Sequence, residues 1–332
     1  MFGRKSENIL VIKTDGLAAF VAAEPVFAEI RGALPHAKIS LLTRAGLQRI
    51  ARAAPYFDQV AAMPDFRDAD SKKAFVRQLK NAKFSRILDL SADDAARKLQ
   101  AAMGPFGPKW HSADPAPKRR RKGAPEELAS MGRVLAAAGL PAPGRLPDFR
   151  WALAARKDSA NMQPSWFGVA GDFGLLLPGV DPEQRWPAGN YAGLARLMAQ
   201  HHIMPVLVGG KEMHGFGDEI AHLAPEIVDL SGKTDHLQLA ALAQEAAFFV
   251  SDAAEEMHLV VSVGCRGVLI RKGPALGAAP PGRDVVTLTA RENLADAAPE
   301  FVWRTLENMG LIPETKPDKR HGAGVEPRVA AR

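Results

Sequence analysis

The run Phe248-Phe249-Val250-Ser251 leads through Asp252-Ala253-Ala254-Glu255-Glu256 into Met257-His258-Leu259-Val260-Val261. A buried strand that turns straight into a helix leaves backbone N–H groups free at the helix start, and such turns receive anions. The chemistry on offer is phosphate binding. Yet Glu255 and Glu256 stand in that turn, and no glycine does. Two unit charges about 4 Å apart repel by roughly 4 kcal/mol at an effective dielectric near 20. The helix dipole returns only about 0.3–1 kcal/mol to an anion. Repulsion wins if Glu255 points into a binding cleft and fades if it points to solvent. As local structure the turn is sound, because Asp252 and Glu255 have capping-box spacing.

Other residue groups carry related chemistry. Gly209-Gly210 closes the apolar run Val206-Leu207-Val208, permitting either close backbone approach to a ligand or a tight turn, and Glu212 follows. Arg185-Trp186-Pro187 offers a cation, a packing aromatic and a helix-opening proline. In Ser231-Gly232-Lys233-Thr234 the threonine can cap the next helix and the lysine can reach an anion. This string is not a P-loop, because Ile227 stands where the motif requires glycine. At the first strand's end lie Lys13 and Asp15. Asp15 reads either as a general base or as a turn residue beside Gly16. Lys118-Arg119-Arg120-Arg121-Lys122 is a cationic tract suited to an anionic acceptor or membrane surface; Lys13 is grouped with it as a candidate contact.

These groups need a frame. The chain has 332 residues, 47% hydrophobic and 24% charged, enough for two ordinary domain cores. A formal charge of +6 favours an anionic partner. The basic residues show no aromatic interleaving, which argues against nucleic acid. The single cysteine, Cys265, reads as a small core residue in a chain from a reducing compartment. No Cys/His cluster has metal-ligand spacing. The apolar run Ile9–Ile12 is short for a signal-peptide core, and no stretch approaches the roughly 20 apolar residues of a bilayer span. The expectation is a cytoplasmic protein able to touch the inner-membrane surface.

Strand and helix signals alternate. NILVIK, AKISLLTR, FDQVAAMP and FSRILDLS read as strands separated by helical segments, the first being AAFVAAEPVFAEIRGAL. The pattern fails over residues 104–123, which read as a loop, and residues 141–166 form the best linker. The rhythm restarts with FGLLLPG, MPVLVGG, EIVDLSG, AFFVSD and RGVLIRKG, each followed by helix, up to the closing NLADAAPEFVWRTLENMG. This is an α/β protein with doubly wound parallel sheets. The expected domains are 1–160 and 161–312, with a disordered tail over 313–332. Ligands should lie beyond the carboxyl ends of the strands, at the loops 14–19, 178–186, 209–212, 231–234 and 251–257.

In this order the loops resemble those of the ADP-heptose:lipopolysaccharide heptosyltransferases, glycosyltransferase family 9. LLLPGVDPEQRWPAGNYAGLARLM resembles the family's P-G-x-x-x-x-K-R-W-P block. PVLVGGKE resembles its L-V-G-G-x-x-E, and VDLSGKTDHLQLAALAQEAAFFVSDAAEEMHL its segment ending N-D-S-G-P-M-H-L. ILVIKTDGLAAFVAAEPVFAEIR falls more loosely on the family's opening I-L-V-I-R-x-x-x-x-G-D. The resemblance implies a GT-B fold, two Rossmann-like domains facing a cleft. It also implies an inverting, metal-independent transfer of a sugar, heptose first, from a nucleotide donor such as ADP-heptose to a lipopolysaccharide-type glycolipid. No cofactor is implied; the nucleotide sugar is a substrate.

Carried over residue by residue, the resemblance assigns donor contacts to Arg185, Gly209, Gly210, Glu212 (ribose), Lys233, Thr234, Asp252, Met257 and His258. Several positions depart from the family. Its G-D becomes Ala18-Ala19, so the base position is an alanine, and Asp15, four residues upstream, is the nearest substitute. Its phosphate-contacting lysine becomes Gln184. Its N-D-S-G-P, aligned without gaps, becomes Asp252 to Glu256; a one-residue slip would recover its Asp as Asp252. These departures leave a second reading open, a GT-B protein that binds a glycolipid, nucleotide or partner without catalysis.

Overall fold

Alternate residues of the first strand belong to different cores, the mark of a sheet covered on both faces. The computed structural model describes residues 7–64, 68–91, 93–104, 107–112, 124–154, 159–273, 285–290 and 292–312. The tract Lys118–Lys122 and the segment from Pro313 lie outside the described residues. β1 (Asn8–Lys13) sends Ile9 and Val11 to one core and Leu10 and Ile12 to another. A strand with no polar face must be interior. With β2 (Lys38–Thr43), β3 (Gln59–Ala62), β4 (Arg86–Asp89) and β5 (Lys109–Ser112) it forms a five-stranded parallel sheet of order β3-β2-β1-β4-β5. The helices of this half are α1 (Leu17–Ala22), α2 (Glu24–Ala33), α3 (Gln48–Ala53), α4 (Ala69–Asn81), α5 (Asp94–Met103) and α6 (Ala124–Ala137). The short α7 (Trp151–Ala154) follows.

The second half repeats the plan. β6 (Phe173–Leu177), β7 (Met204–Leu207), β8 (Val228–Asp229), β9 (Phe248–Ser251), β10 (Gly267–Lys272) and β11 (Val285–Ala290) form a six-stranded parallel sheet, β11-β10-β9-β6-β7-β8. Its helices are α8 (Ala188–Gln200), α9 (His214–Leu223), α10 (His236–Glu245), α11 (Glu256–Ser262) and α12 (Pro299–Asn308). Leu175 and Leu177 face one core and Leu176 the other, so this sheet is also doubly wound. Both expected doubly wound α/β domains are present, and the expected ligand loops follow β1, β6, β7, β8 and β9.

Three readings of the sequence are corrected. The helix expected from Ala18 onward is two helices that meet at Ala23, with Pro25 near the start of α2. The expected loop over residues 104–123 contains β5, whose KWHS has no apolar run and is held by parallel pairing to β4. The edge strand β11 adds to the expected set; Val285-Val286-Thr287-Leu288 has strand composition.

The domains share one apolar core. α1 packs on α11, and Leu17, Phe20, Val21, Val134, Phe149, Met257, Val260 and Val261 belong to one cluster. The stretch expected to be a linker is well anchored. Phe149 is fully buried, and its N–H donates to the Ser262 carbonyl at 3.1 Å. Glu24, also fully buried, accepts from Arg145 Nη1 (2.8 Å), Arg145 Nη2 (2.5 Å), Asp148 N (3.0 Å) and the Tyr56 hydroxyl. Burial, reinforced by the Glu24 carboxylate, pushes the Tyr56 hydroxyl pKa up. Among the described residues no helix is long and apolar enough to cross a membrane.

Candidate active site

In an open parallel sheet the ligand crevice opens where neighbouring strands lead to opposite faces. In the C-terminal sheet that point lies between β6 and β9. Asp252, the first residue after β9, fills it. Its carboxylate accepts from Ala253 N (2.6 Å), Trp186 N (2.7 Å), the Tyr191 hydroxyl (3.0 Å) and Gly179 N. Gly179 is glycine because a Cβ there would lie 2.7 Å from Asp252 Oδ1. Burial raises the Asp252 pKa, the four donors pull it down, and the net shift is upward. Burial also raises Tyr191, with the Asp252 charge adding to the effect. The capping-box expectation fails here. Asp252 holds the loop 178–186, and α11 has no side-chain N-cap. At 1% exposure Asp252 is a clamp on the site's wall rather than a group facing a donor.

That clamp positions Arg185. Trp186 is fully buried, its indole N–H donating to the Ala297 carbonyl at 2.9 Å. Arg185 is left half-buried, its guanidinium carbon 3.9 Å from the Phe216 ring centroid. The loops after β7 and β8 are tied together, Gly232 N donating to the Gly209 carbonyl at 2.8 Å. Glu212 is exposed, and its carboxylate folds back over Gly210. Lys233 Nζ donates to the Asp229 carbonyl at 2.6 Å, so the ammonium is held at its own loop. The expected cap Thr234 is corrected to Asp235, which forms a full capping box with Gln238 at the start of α10.

The acidic turn reaches across to the other domain. Glu255 Oε2 accepts the Leu17 N–H at 2.9 Å, joining the turn after β9 to the start of α1. Its oxygens lie 2.6 and 2.9 Å from where a Cβ on Gly16 would stand, so a side chain at position 16 would displace the carboxylate from this place. Glu256 is half-buried, and its pKa is raised by burial and then by the Glu212 and Glu255 charges. Met257 packs its side chain into the core at 5% exposure. His258 is half-buried in the first turn of α11.

On the opposing wall, Lys13 Nζ lies 2.9 Å from Asp15 Oδ2 at the carboxyl end of β1. Lys13 is 1% exposed, which removes it as a membrane contact: its stem is part of an interior strand. Asp15 is 27% exposed and precedes the Gly16-Leu17 segment that meets Glu255. Thr14 is fixed by Ser91 Oγ (2.7 Å) and Asp93 Oδ2 (2.6 Å), and Arg44 Nε donates to its carbonyl at 2.7 Å. Arg49 pairs with Asp235 across the domains, and His236 hydrogen-bonds the Gly46 backbone. Burial lowers the His236 pKa, with that bond and Glu255 opposing.

The structure thus brings Asp15, Glu255, Glu256, Glu212, Arg185 and His258 to loops at the carboxyl ends of the two sheets. Tyr191, Asp235, His236 and Arg49 join the site without having been expected there. Asp235-x-x-Gln238 is itself a capping-box signal; nothing local marks Tyr191 or Arg49.

Comparison with known proteins agrees with this fold. No curated protein matches the sequence. The structure of a family 9 glycosyl transferase from Veillonella parvula matches with a TM-score of 0.72 at 17% identity, covering 91% of this chain and 97% of that one. E. coli ADP-heptose LPS heptosyltransferase II matches with a TM-score of 0.73 at 16% identity, covering 92% and 98%. E. coli heptosyltransferase WaaC, solved with ADP-2-deoxy-2-fluoro heptose, matches with a TM-score of 0.69 at 16% identity, covering 91% and 99%. Those likenesses show the GT-B fold. Residues 118–270, a stretch that includes the loops after β6, β7, β8 and β9, match the model of Glycosyltransferase family 9 (heptosyltransferase).

Proposed function

We propose that this protein is a glycosyltransferase that binds a nucleotide sugar against the C-terminal domain and transfers its sugar, heptose first, to an anionic lipopolysaccharide-type glycolipid. The observation that carries the reading is Asp15. Its carboxylate is partly exposed at the end of β1, oriented by Lys13 at 2.9 Å and adjacent to the segment that touches the donor turn. In the proposed step Asp15 takes the proton of an acceptor hydroxyl as that oxygen attacks the anomeric carbon and the bond to the nucleotide diphosphate breaks. Arg185, Lys233, His258 and the loop amides at Gly209-Gly210 stabilise the leaving diphosphate without a metal. The E. coli WaaC structure, which holds a nucleotide-heptose analogue, supports this class of donor. The tract Lys118–Lys122 supplies the contact with the acceptor or with the anionic inner-membrane surface, on the cytoplasmic side.

A second reading is favoured by Ala19 at the base position and by Glu255 reaching across the cleft. In it the protein keeps the GT-B frame and binds ligand without turnover. Calorimetry with ADP-heptose, ADP and UDP-sugars, followed by a turnover assay on a lipopolysaccharide precursor, separates the two. Saturable binding with turnover that is lost in D15A supports the transferase; binding without turnover supports the second reading.

A further inference from the structure

We infer that Glu255 is a built-in carboxylate latch that competes with an anionic ligand for the cleft and so sets the cleft's affinity for diphosphate. The inference rests on the proposed donor site and names its control. Glu255 and Gly16 are a fitted pair: both carboxylate oxygens occupy the space a side chain at position 16 would need, and Oε2 takes the Leu17 N–H at 2.9 Å. The latch therefore joins the loop that carries Asp15 to the turn that the family resemblance assigns to the donor. Its charge is not the only one there. The Glu212 and Glu255 charges both raise the Glu256 pKa, so the turn is acidic beyond Glu255 itself. The cationic groups nearby are committed in part: Arg185 lies on Phe216, and Lys233 donates to Asp229. Glu255 nevertheless remains exposed overall, whereas the α1–α11 packing around Leu17, Phe20 and Val260 is buried. Its side chain can therefore leave without opening the shared core, exposing the Leu17 amide and withdrawing one negative charge.

The test uses the full chain with E255Q and E255A. E255Q keeps an acceptor for Leu17 and loses the charge; E255A loses both. Titration calorimetry with ADP and with inorganic pyrophosphate should show both variants binding pyrophosphate about tenfold or more tightly than the parent, the direction set by removing a like charge. Hydrogen exchange should show the Leu17 amide losing protection in E255A and keeping it in E255Q. Equal pyrophosphate affinity in all three proteins overturns the competition, and unchanged Leu17 exchange in E255A overturns the latch. The donor reading fails separately: variants that gain pyrophosphate affinity while ADP binds no better than pyrophosphate leave Glu255 guarding an anion site with no nucleoside specificity.

Discussion

Trp186 N donates to Asp252 Oδ2 at 2.7 Å, closing the gap between β6 and β9 with a carboxylate. The same carboxylate holds Gly179 N, Ala253 N and the Tyr191 hydroxyl. The loop that carries Arg185 is therefore shaped by a buried charge whose oxygens are already occupied. Removing that charge strands buried donors, each costing about 1–3 kcal/mol. D252A should lose about 3–5 kcal/mol of stability and roughly 5–10 °C in Tm. D252N, which keeps one acceptor oxygen, should lose less. Urea denaturation of both variants checks this; a D252A midpoint equal to the parent's would mean that the four bonds contribute nothing net.

Glu24 and Arg145 make the corresponding pair in the N-terminal half, between α2 and the segment that leads to the second domain. Glu24 is fully buried, while Arg145 is 39% exposed. Taking away the cation leaves the buried carboxylate with only the Asp148 N–H and the Tyr56 hydroxyl as donors, so R145A should cost about 2–3 kcal/mol. Y56F removes one neutral donor and should cost about 1 kcal/mol. A double-mutant cycle of E24Q and R145A, read by denaturant midpoint, should show strong coupling; additive effects would count against the pair.

The sequence displays the frame more readily than the site. Ile9 to Ile12 and Leu175 to Leu177 are continuous apolar runs, bounded by polar turns, that suit strands buried on both faces. The loops that follow them are therefore legible as the loops at the carboxyl ends of the sheets. β5 is hidden because Lys109-Trp110-His111-Ser112 is held by its neighbour rather than by its own composition. The Asp252 clamp escapes local reading for a related reason. Capping-box spacing is a local signal, but the donors that claim the carboxylate lie at Gly179, Trp186 and Tyr191, brought near only by the β6–β9 pairing. For Glu255 the sequence leaves cleft and solvent equally open. Its partner, Leu17 N, is 238 positions away, and only the domain packing decides the matter.

Glu256 gives a pH prediction. Burial first, then the Glu212 and Glu255 charges, raise its pKa above that of the unfolded chain. The native state therefore holds this proton to higher pH than the unfolded state does. Its stabilising share is present at acid pH and is lost as pH rises through the folded pKa. E256Q removes the titration, so it should raise the Tm at pH 7–8 by a few degrees and leave it nearly unchanged near pH 4. Thermal melts across that range check the sign. A variant less stable than the parent at pH 8 would show that the carboxylate is stabilised by its surroundings instead.

Deleting Lys118–Lys122 tests the proposed membrane contact. Clustered basic residues near an anionic surface each contribute about 1 kcal/mol. The deletion should therefore weaken sedimentation with vesicles of phosphatidylglycerol more than tenfold and leave vesicles of neutral lipid unaffected. Equal binding by both proteins would move the contact elsewhere.

The last prediction concerns the base. A positioned general base contributes typically 10²–10⁴-fold, so D15N should lower the turnover of an active enzyme by that factor while leaving donor binding intact. If Asp15 is instead only the partner of Lys13, turnover will be indifferent to the change. Restoring the family's aspartate then becomes the informative experiment. Ala19 is half-buried in the first turn of α1, where a carboxylate is favoured by the helix dipole but must share the helix start with Glu255. A19D alone should therefore gain little, because two carboxylates then crowd the same amides. A19D combined with E255G removes the latch and supplies the base, and it should release ADP from ADP-heptose at least tenfold faster than the parent in the presence of acceptor. A double variant that binds donor and still does not turn over would place the missing element in the acceptor half, beyond the first loop and the donor turn.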